Sequence, residues 1–187
     1  FKQFEHEYSG LEGFDFVSAA LTFFDFSIRL PESQKARIPA TGRLVIASNH
    51  PIGSLDGIAL LDLVREVRTD VRVVANGMLM HLKPLHSVLL PVNNMSGSTT
   101  RRDLLAIRKH LESDGVLIIF PAGEVSRLGL KGVRDGLWNN GFVKLASATK
   151  APILPIFMGG RNSAFFYGLS ALVKPLSTAW LIREMFK

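Results

Sequence analysis

No cysteine occurs in the 187 residues, which excludes a disulfide scaffold, a thiol nucleophile and a thiolate zinc site. Charge is sparse: 20% of residues are Asp, Glu, Lys or Arg, against 47% apolar. That balance is too apolar for a disordered chain and suits one packed domain. A long clean apolar run is also missing. The best candidate, Phe14 to Leu30, is broken by Asp15, Asp25 and Arg29. It falls short of the ~20 apolar residues a bilayer span needs. Glu5, Glu7 and Glu12 stand where a secretory leader would be basic. The chain opens with Phe and closes on an apolar, helix-like stretch, so we read it as a piece of a longer protein. The glycine-rich nucleotide motifs G-x-G-x-x-G and the P-loop are absent too.

What is present is unevenly charged. Residues 1–124 hold 13 Lys/Arg and 14 Asp/Glu, whereas residues 125–187 hold nine Lys/Arg and two Asp/Glu. A basic final third suits anionic ligands, whether phosphate groups, membrane headgroups or nucleic acid, and equally a solvated basic face.

Short apolar runs alternate with amphipathic stretches. Strands are expected at Arg43–Ser48, Val71–Ala75, Val88–Val92, Gly115–Phe120 and Pro152–Phe157. Helices are expected at Leu55–Val67, Thr99–Leu111 and about 140–149, the second with Leu104, Leu105, Ile107 and Leu111 on one side. The alternation predicts a layered αβα domain with a mixed, largely parallel sheet. Pro152 and Pro155 make the last strand an edge or irregular strand. Residues 121–136 read as a glycine-rich loop. Ahead of this α/β domain, 43–187, lies an N-terminal helical region, 1–42. Its stretch 11–30 carries Phe14, Phe16, Phe23, Phe24 and Phe26. Deep packing and a seat on a membrane surface both account for so many aromatics.

Three segments offer chemistry. Asn49-His50-Pro51-Ile52-Gly53-Ser54-Leu55-Asp56 runs from a strand end through a Pro/Gly turn into a helix. Open α/β sheets bind ligands at such strand ends. Imidazole is suited to remove a proton near neutral pH, and a nearby carboxylate would fix its tautomer. No Gly-x-Ser-x-Gly elbow supplies a nucleophile, so a His–Asp pair here would activate a hydroxyl on the substrate. The plainer alternative is a His in a turn and an Asp capping a helix. Phe120-Pro-Ala-Gly123-Glu124-Val-Ser126-Arg127 ends the most convincing buried strand and should share that sheet edge. Gly123 permits close backbone approach, Arg127 suits a phosphate or carboxylate clamp, and Glu124 suits a hydroxyl or Arg127 itself. Ser96 to Arg102 leads into a helix, and Arg101 and Arg102 oppose its dipole unless an anion sits there. His81, His86 and His110 match no compact zinc pattern, and no metal is assigned. A metal-dependent hydrolase using His50, Asp56 and His81 or His86 stays open as an alternative.

Together these segments resemble the PlsC-type glycerolipid acyltransferases, in particular their hemolysin-like branch. The superfamily's Asn-His-x4-Asp signature resembles Asn49-His50 to Asp56, with one extra residue between His and Asp. Its Phe-Pro-Glu-Gly-Thr-Arg block corresponds to Phe120–Arg127 with Glu and Arg displaced. Trp138–Ala146 and Ala151–Ile156 look like the following two blocks, in family order. Leu89–Asn94 followed by Arg101 or Arg102 stands loosely for the remaining one. Gly160–Ser163 and Leu181–Glu184 again resemble the hemolysin-like branch. The resemblance implies an acyltransferase needing no cofactor, with acyl-CoA or acyl-acyl carrier protein as co-substrate. It implies a lysolipid acceptor, no nucleic acid, and peripheral work at an anionic membrane surface on its cytoplasmic side. His50 would be the base and Asp56 its partner. A non-catalytic lipid- or acyl-carrier-binding module that keeps the fold stays open as an alternative. Asn49, Gly53, Arg101, Arg102, Gly123, Glu124, Ser126 and Arg127 would contact substrates. Backbone N–H groups near Gly53 or Gly123 would hold the oxyanion.

Overall fold

The computed structural model describes residue 8 and residues 10–92, 100–172, 180–181 and 183–184. Its centre is a five-stranded parallel sheet. The strands are β1 (Leu44–Ser48), β2 (Val71–Asn76), β3 (Leu89–Val92), β4 (Val116–Ile119) and β7 (Ile153–Ile156), in the spatial order β3-β2-β4-β1-β7. All four pairings are parallel. The layered α/β architecture with a largely parallel sheet is therefore observed. β3 and β7 are its edges, and they carry Pro91 and Pro155, residues a central strand would not tolerate.

Alternate residues of each strand feed opposite layers, as the two-residue period of a strand requires. Leu44, Ile46, Val71, Val73, Val116 and Ile118 pack against helices α1 (Gly13–Phe23) and α3 (Ser54–Arg65). Val45, Leu90 and Leu117 pack on the other face against α4 (Arg101–Glu112) and α5 (Gly141–Thr149). A short helix, α2 (Glu32–Lys35), links α1 to β1. Of the α1 aromatics and their neighbours, Phe14, Phe16 and Phe26 pack on the core. Phe23 stands edge-on to both Phe24 and Tyr8. Phe14, Phe16 and Phe26 thus use part of their surface for packing, and all five Phe side chains are half-buried.

Three sequence expectations change. Leu104 and Leu105 are half exposed, and only Ile107 and Leu111 of α4 are buried. Leu105 stands two positions before Ile107, about 200° around the helix. The stretch expected as a plain loop contains an antiparallel hairpin, β5 (Arg127–Gly129) and β6 (Gly132–Arg134). A further helix, α6 (Ala164–Leu172), packs against β5.

The sheet's N-terminal edge is closed by polar groups. Arg68, 8% exposed, grips Asp70 at 2.7 and 2.6 Å and donates to the carbonyls of Pro39, Gly42 and Asp114. Beside it, His110 Nε2 bonds the Val116 carbonyl at 2.9 Å. That occupies a histidine the sequence left without a role.

Candidate active site

Ala47 pairs with Ile119 in the β1–β4 register, so the chains leaving these strands emerge side by side. One carries Asn49 and His50, the other Phe120. The two rings stack, with centroids 4.2 Å apart and planes at 22°. The turn after His50 then leads into α3, and Asp56 falls in that helix's first turn.

The turn exists because Gly53 takes φ 136° and ψ −141°, a backbone region essentially reserved for glycine. It brings Asp56 back under the turn. Asp56 Oδ2 accepts from His50 Nδ1 at 2.9 Å, from Ile52 N at 2.9 Å and from Gly53 N at 3.0 Å. Asp56 is 0% exposed. Three N–H donors converge on Oδ2, and Asp56 Oδ1 is buried without a hydrogen-bond partner among the described residues. With Oδ2 accepting, His50 donates from Nδ1 and a neutral imidazole keeps Nε2 as its acceptor. The His50 side chain is 18% exposed, partly open to a ligand.

Around this pair, most of the other candidates serve as braces. Asn49 Nδ2 donates to the Met158 carbonyl at 2.9 Å and its Oδ1 accepts from Met158 N at 2.7 Å, tying the exit of β1 to that of β7. Ser126 N donates to the His50 carbonyl at 2.7 Å, joining the second candidate segment to the first. Gly123, at φ 69°, donates its N–H to the Phe120 carbonyl within a turn. The Gly53 N–H is held by Asp56. The N–H groups of Gly53 and Gly123 themselves are therefore engaged within the protein. Glu124 and Arg127 form an ion pair at 3.6 Å, with the guanidinium 5.5 Å from the Phe166 ring centre. Arg101 and Arg102 are exposed on α4, on the sheet face away from α3, and Thr100 and Asp103 cap that helix reciprocally. No contact among the described residues joins either arginine to His50. Ser96–Thr99, Asn93, Asn94 and Ile182 lie outside the described residues. His86 Nε2 bonds the Met80 carbonyl, and the described residues include no group of three or more His, Asp or Glu arranged to hold a metal.

Two supports were missed in the sequence. Asp135 Oδ1 accepts from His50 N at 3.2 Å and from Ser126 Oγ at 2.5 Å, while Oδ2 accepts from Trp138 Nε1 at 2.9 Å. Asn162 Nδ2 donates to the Pro51 and Ile52 carbonyls at 3.2 and 3.1 Å, cradling the His50 turn. A signal for the first did exist. Residues 125–187 hold only two acids, Asp135 and Glu184, and both are structural acceptors. Glu184 takes Ser163 N, Ser163 Oγ and Trp180 Nε1.

A buried carboxylate is thus bonded to a part-exposed imidazole at the C-terminal edge of a parallel sheet, where open α/β sheets bind their ligands. A family model described as acyltransferase matches residues 7–187, and the chain belongs to that family, within the PlsC-like acyltransferase superfamily. It is 32% identical over 182 residues to a lyso-glycine lipid O-acyltransferase of Bacteroides thetaiotaomicron, covering 94% of this chain and 66% of the relative. It is 32% identical over 175 residues to a protein of the same name from Phocaeicola vulgatus, covering 93% of this chain and 62% of that one. The chain thus spans just under two thirds of the length of these curated relatives.

Proposed function

We propose that this protein is a lysolipid O-acyltransferase, moving a fatty acyl group from a CoA or acyl-carrier-protein thioester to the hydroxyl of a lyso-aminolipid of the glycine-lipid type. The observation that carries the reading is the His50 Nδ1–Asp56 Oδ2 bond of 2.9 Å, made to a carboxylate fully withdrawn from solvent. His50 Nε2 takes the acceptor's hydroxyl proton, and the oxygen attacks the thioester carbonyl carbon. The C–S bond breaks as the tetrahedral intermediate collapses, and the imidazolium returns its proton to the leaving thiolate. Asp56 holds the tautomer and balances the imidazolium charge. A thioester is already activated, so this route needs neither a protein nucleophile nor a covalent enzyme intermediate. Arg127, next to the Ser126 that bonds His50, supports an anionic group on donor or acceptor. The hemolysin-like branch is the part of the superfamily this reading favours.

The test uses purified protein with labelled acyl-CoA or acyl-acyl carrier protein and a panel of lyso-glycine lipid, lyso-ornithine lipid and lysophosphatidic acid, read by mass spectrometry. Transfer to lyso-glycine lipid is expected, with His50→Ala lowering the rate by ~10²–10⁴ at an unchanged circular-dichroism melt. Failure with every acceptor, or a folded His50→Ala variant of normal rate, overturns the reading.

A further inference from the structure

The hairpin beside the site has the wrong surface for water. Its two-residue turn, Leu130-Lys131, lies between paired Gly129 and Gly132. Such turns ordinarily carry Asn, Asp or Gly. Leu130 is 109% exposed, Leu137 just beyond the hairpin 98%, and Leu128 about half. Lys131 and Arg134 are the cations among them, and both are exposed. No acid occurs from residue 125 to 134. The first one after it, Asp135, has both oxygens turned to His50, Ser126 and Trp138.

We propose that the β5–β6 hairpin with Leu137 is a docking finger for an anionic lipid bilayer, which sets His50 at the membrane surface. Three points lead there. First, leucines interleaved with cations match the interface of an anionic bilayer, where the leucines enter the acyl boundary and the cations meet headgroups. Second, the same cations oppose burial of this face against a second copy, because two fingers would bring like charges together. Third, the finger is tied to the base at both its ends: Ser126, just before β5, donates to the His50 carbonyl, and Asp135, just after β6, accepts from His50 N. Seating the finger therefore fixes the height of His50 over the lipid. The proposal rests on the lipid acceptor inferred above, and it replaces the Phe-rich segment, whose Phe14, Phe16 and Phe26 face the core, as the main contact.

The experiment is vesicle co-sedimentation of the full chain, with phosphatidylglycerol and with phosphatidylcholine vesicles at low and high salt. Wild type is compared with Leu130→Ser/Leu137→Ser and with Lys131→Glu/Arg134→Glu. Acyl transfer to a short-chain, monomerically dispersed lyso-acceptor is measured alongside. The wild type is expected to bind phosphatidylglycerol vesicles at least tenfold more tightly than phosphatidylcholine, and less tightly at high salt. Each double variant should bind them at least tenfold more weakly while keeping transfer to the dispersed acceptor within twofold. Unchanged vesicle binding in the leucine variant, or none in the wild type, overturns the docking finger. So does a wild-type dimer that the leucine variant dissolves with vesicle binding intact. Hairpin-dependent binding with no transfer by any form would keep the finger and sink the acyltransferase reading instead. Normal transfer with hairpin-independent binding would do the reverse.

Discussion

At the scale of single residues, the proposed mechanism gives Asp56 two jobs that substitution separates. Asn at position 56 keeps an oxygen for the Ile52 and Gly53 N–H groups but has no charge to support an imidazolium. Asp56→Asn is expected to lower kcat by at least ~10²-fold with a small change in melting temperature. Asp56→Ala leaves three N–H donors, those of His50 Nδ1, Ile52 and Gly53, without their acceptor and should cost about 2–4 kcal/mol of stability in urea melts. If both variants are equally active and stable, some other group serves His50. If His50 is the base proposed above, Asp135 acts as a positioning residue, since it holds the His50 backbone and not its ring. Asp135→Ala removes three hydrogen bonds at once. It should lower kcat by roughly tenfold through a small misplacement of the base. Asp135→Asn retains an oxygen for His50 N and Ser126 Oγ, and should recover most of that loss. Equal rates in Ala and Asn, whether normal or depressed, argue against this positioning role.

At the scale of elements, the turn between β1 and α3 is the most demanding piece of backbone in the site. An added Cβ at Gly53 would meet only ordinary contacts, at 3.7 Å or more, from Val125 and Leu181. The obstacle is therefore conformation and not space. Gly53→Ala should cost about 1–3 kcal/mol and, by shifting Asp56, reduce acyl transfer; thermal melts and kinetics on the same preparation check both. This element was legible in the sequence because its signals are local: an apolar run, His-Pro, a glycine, then an acid opening an amphipathic helix. The β1 and β4 strands were legible for the same reason, as runs of branched apolar residues. The β5–β6 hairpin was not. Its three-residue strands in Arg-Leu-Gly-Leu-Lys-Gly-Val-Arg carry two glycines, so turn chemistry outweighs any alternation. Nor was α6, whose Ala-Phe-Phe-Tyr-Gly start is poor in strong helix formers and is held by packing of Phe166 and Tyr167. The scarcity of acids after residue 124 singles out Asp135, but its reach, and that of Asn162, to the His50 turn could not be read, since those contacts depend on which loops the sheet order brings together.

Across the whole molecule, the two edges of the sheet divide the work. The C-terminal edge holds the His–Asp pair, and the N-terminal edge is fastened by Arg68, Asp70 and His110. Stability and activity should therefore be separable. Arg68→Met leaves the Pro39, Gly42 and Asp114 carbonyls without their donor. It is expected to cost about 2–4 kcal/mol while leaving KM for both substrates unchanged in the folded enzyme. The same edge governs response to acid. The hydrogen bond from Arg68 holds the Asp70 carboxyl below its ordinary value, so its contribution is complete above about pH 4 and fades as pH falls through the lowered folded value. Asp70 is about half exposed, so solvent screening keeps that contribution small. His110 acts at milder pH. Its burial pushes the imidazole below its usual value, so the unfolded chain takes up the proton first. Stability from the neutral ring is thus full above about pH 6.5 and is lost as pH drops from there toward the folded value. Urea melts at pH 7.5 and 5.5 should show wild type losing stability, and His110→Gln, which has nothing to titrate, losing measurably less. Equal losses in the two proteins would place the acid-sensitive group elsewhere.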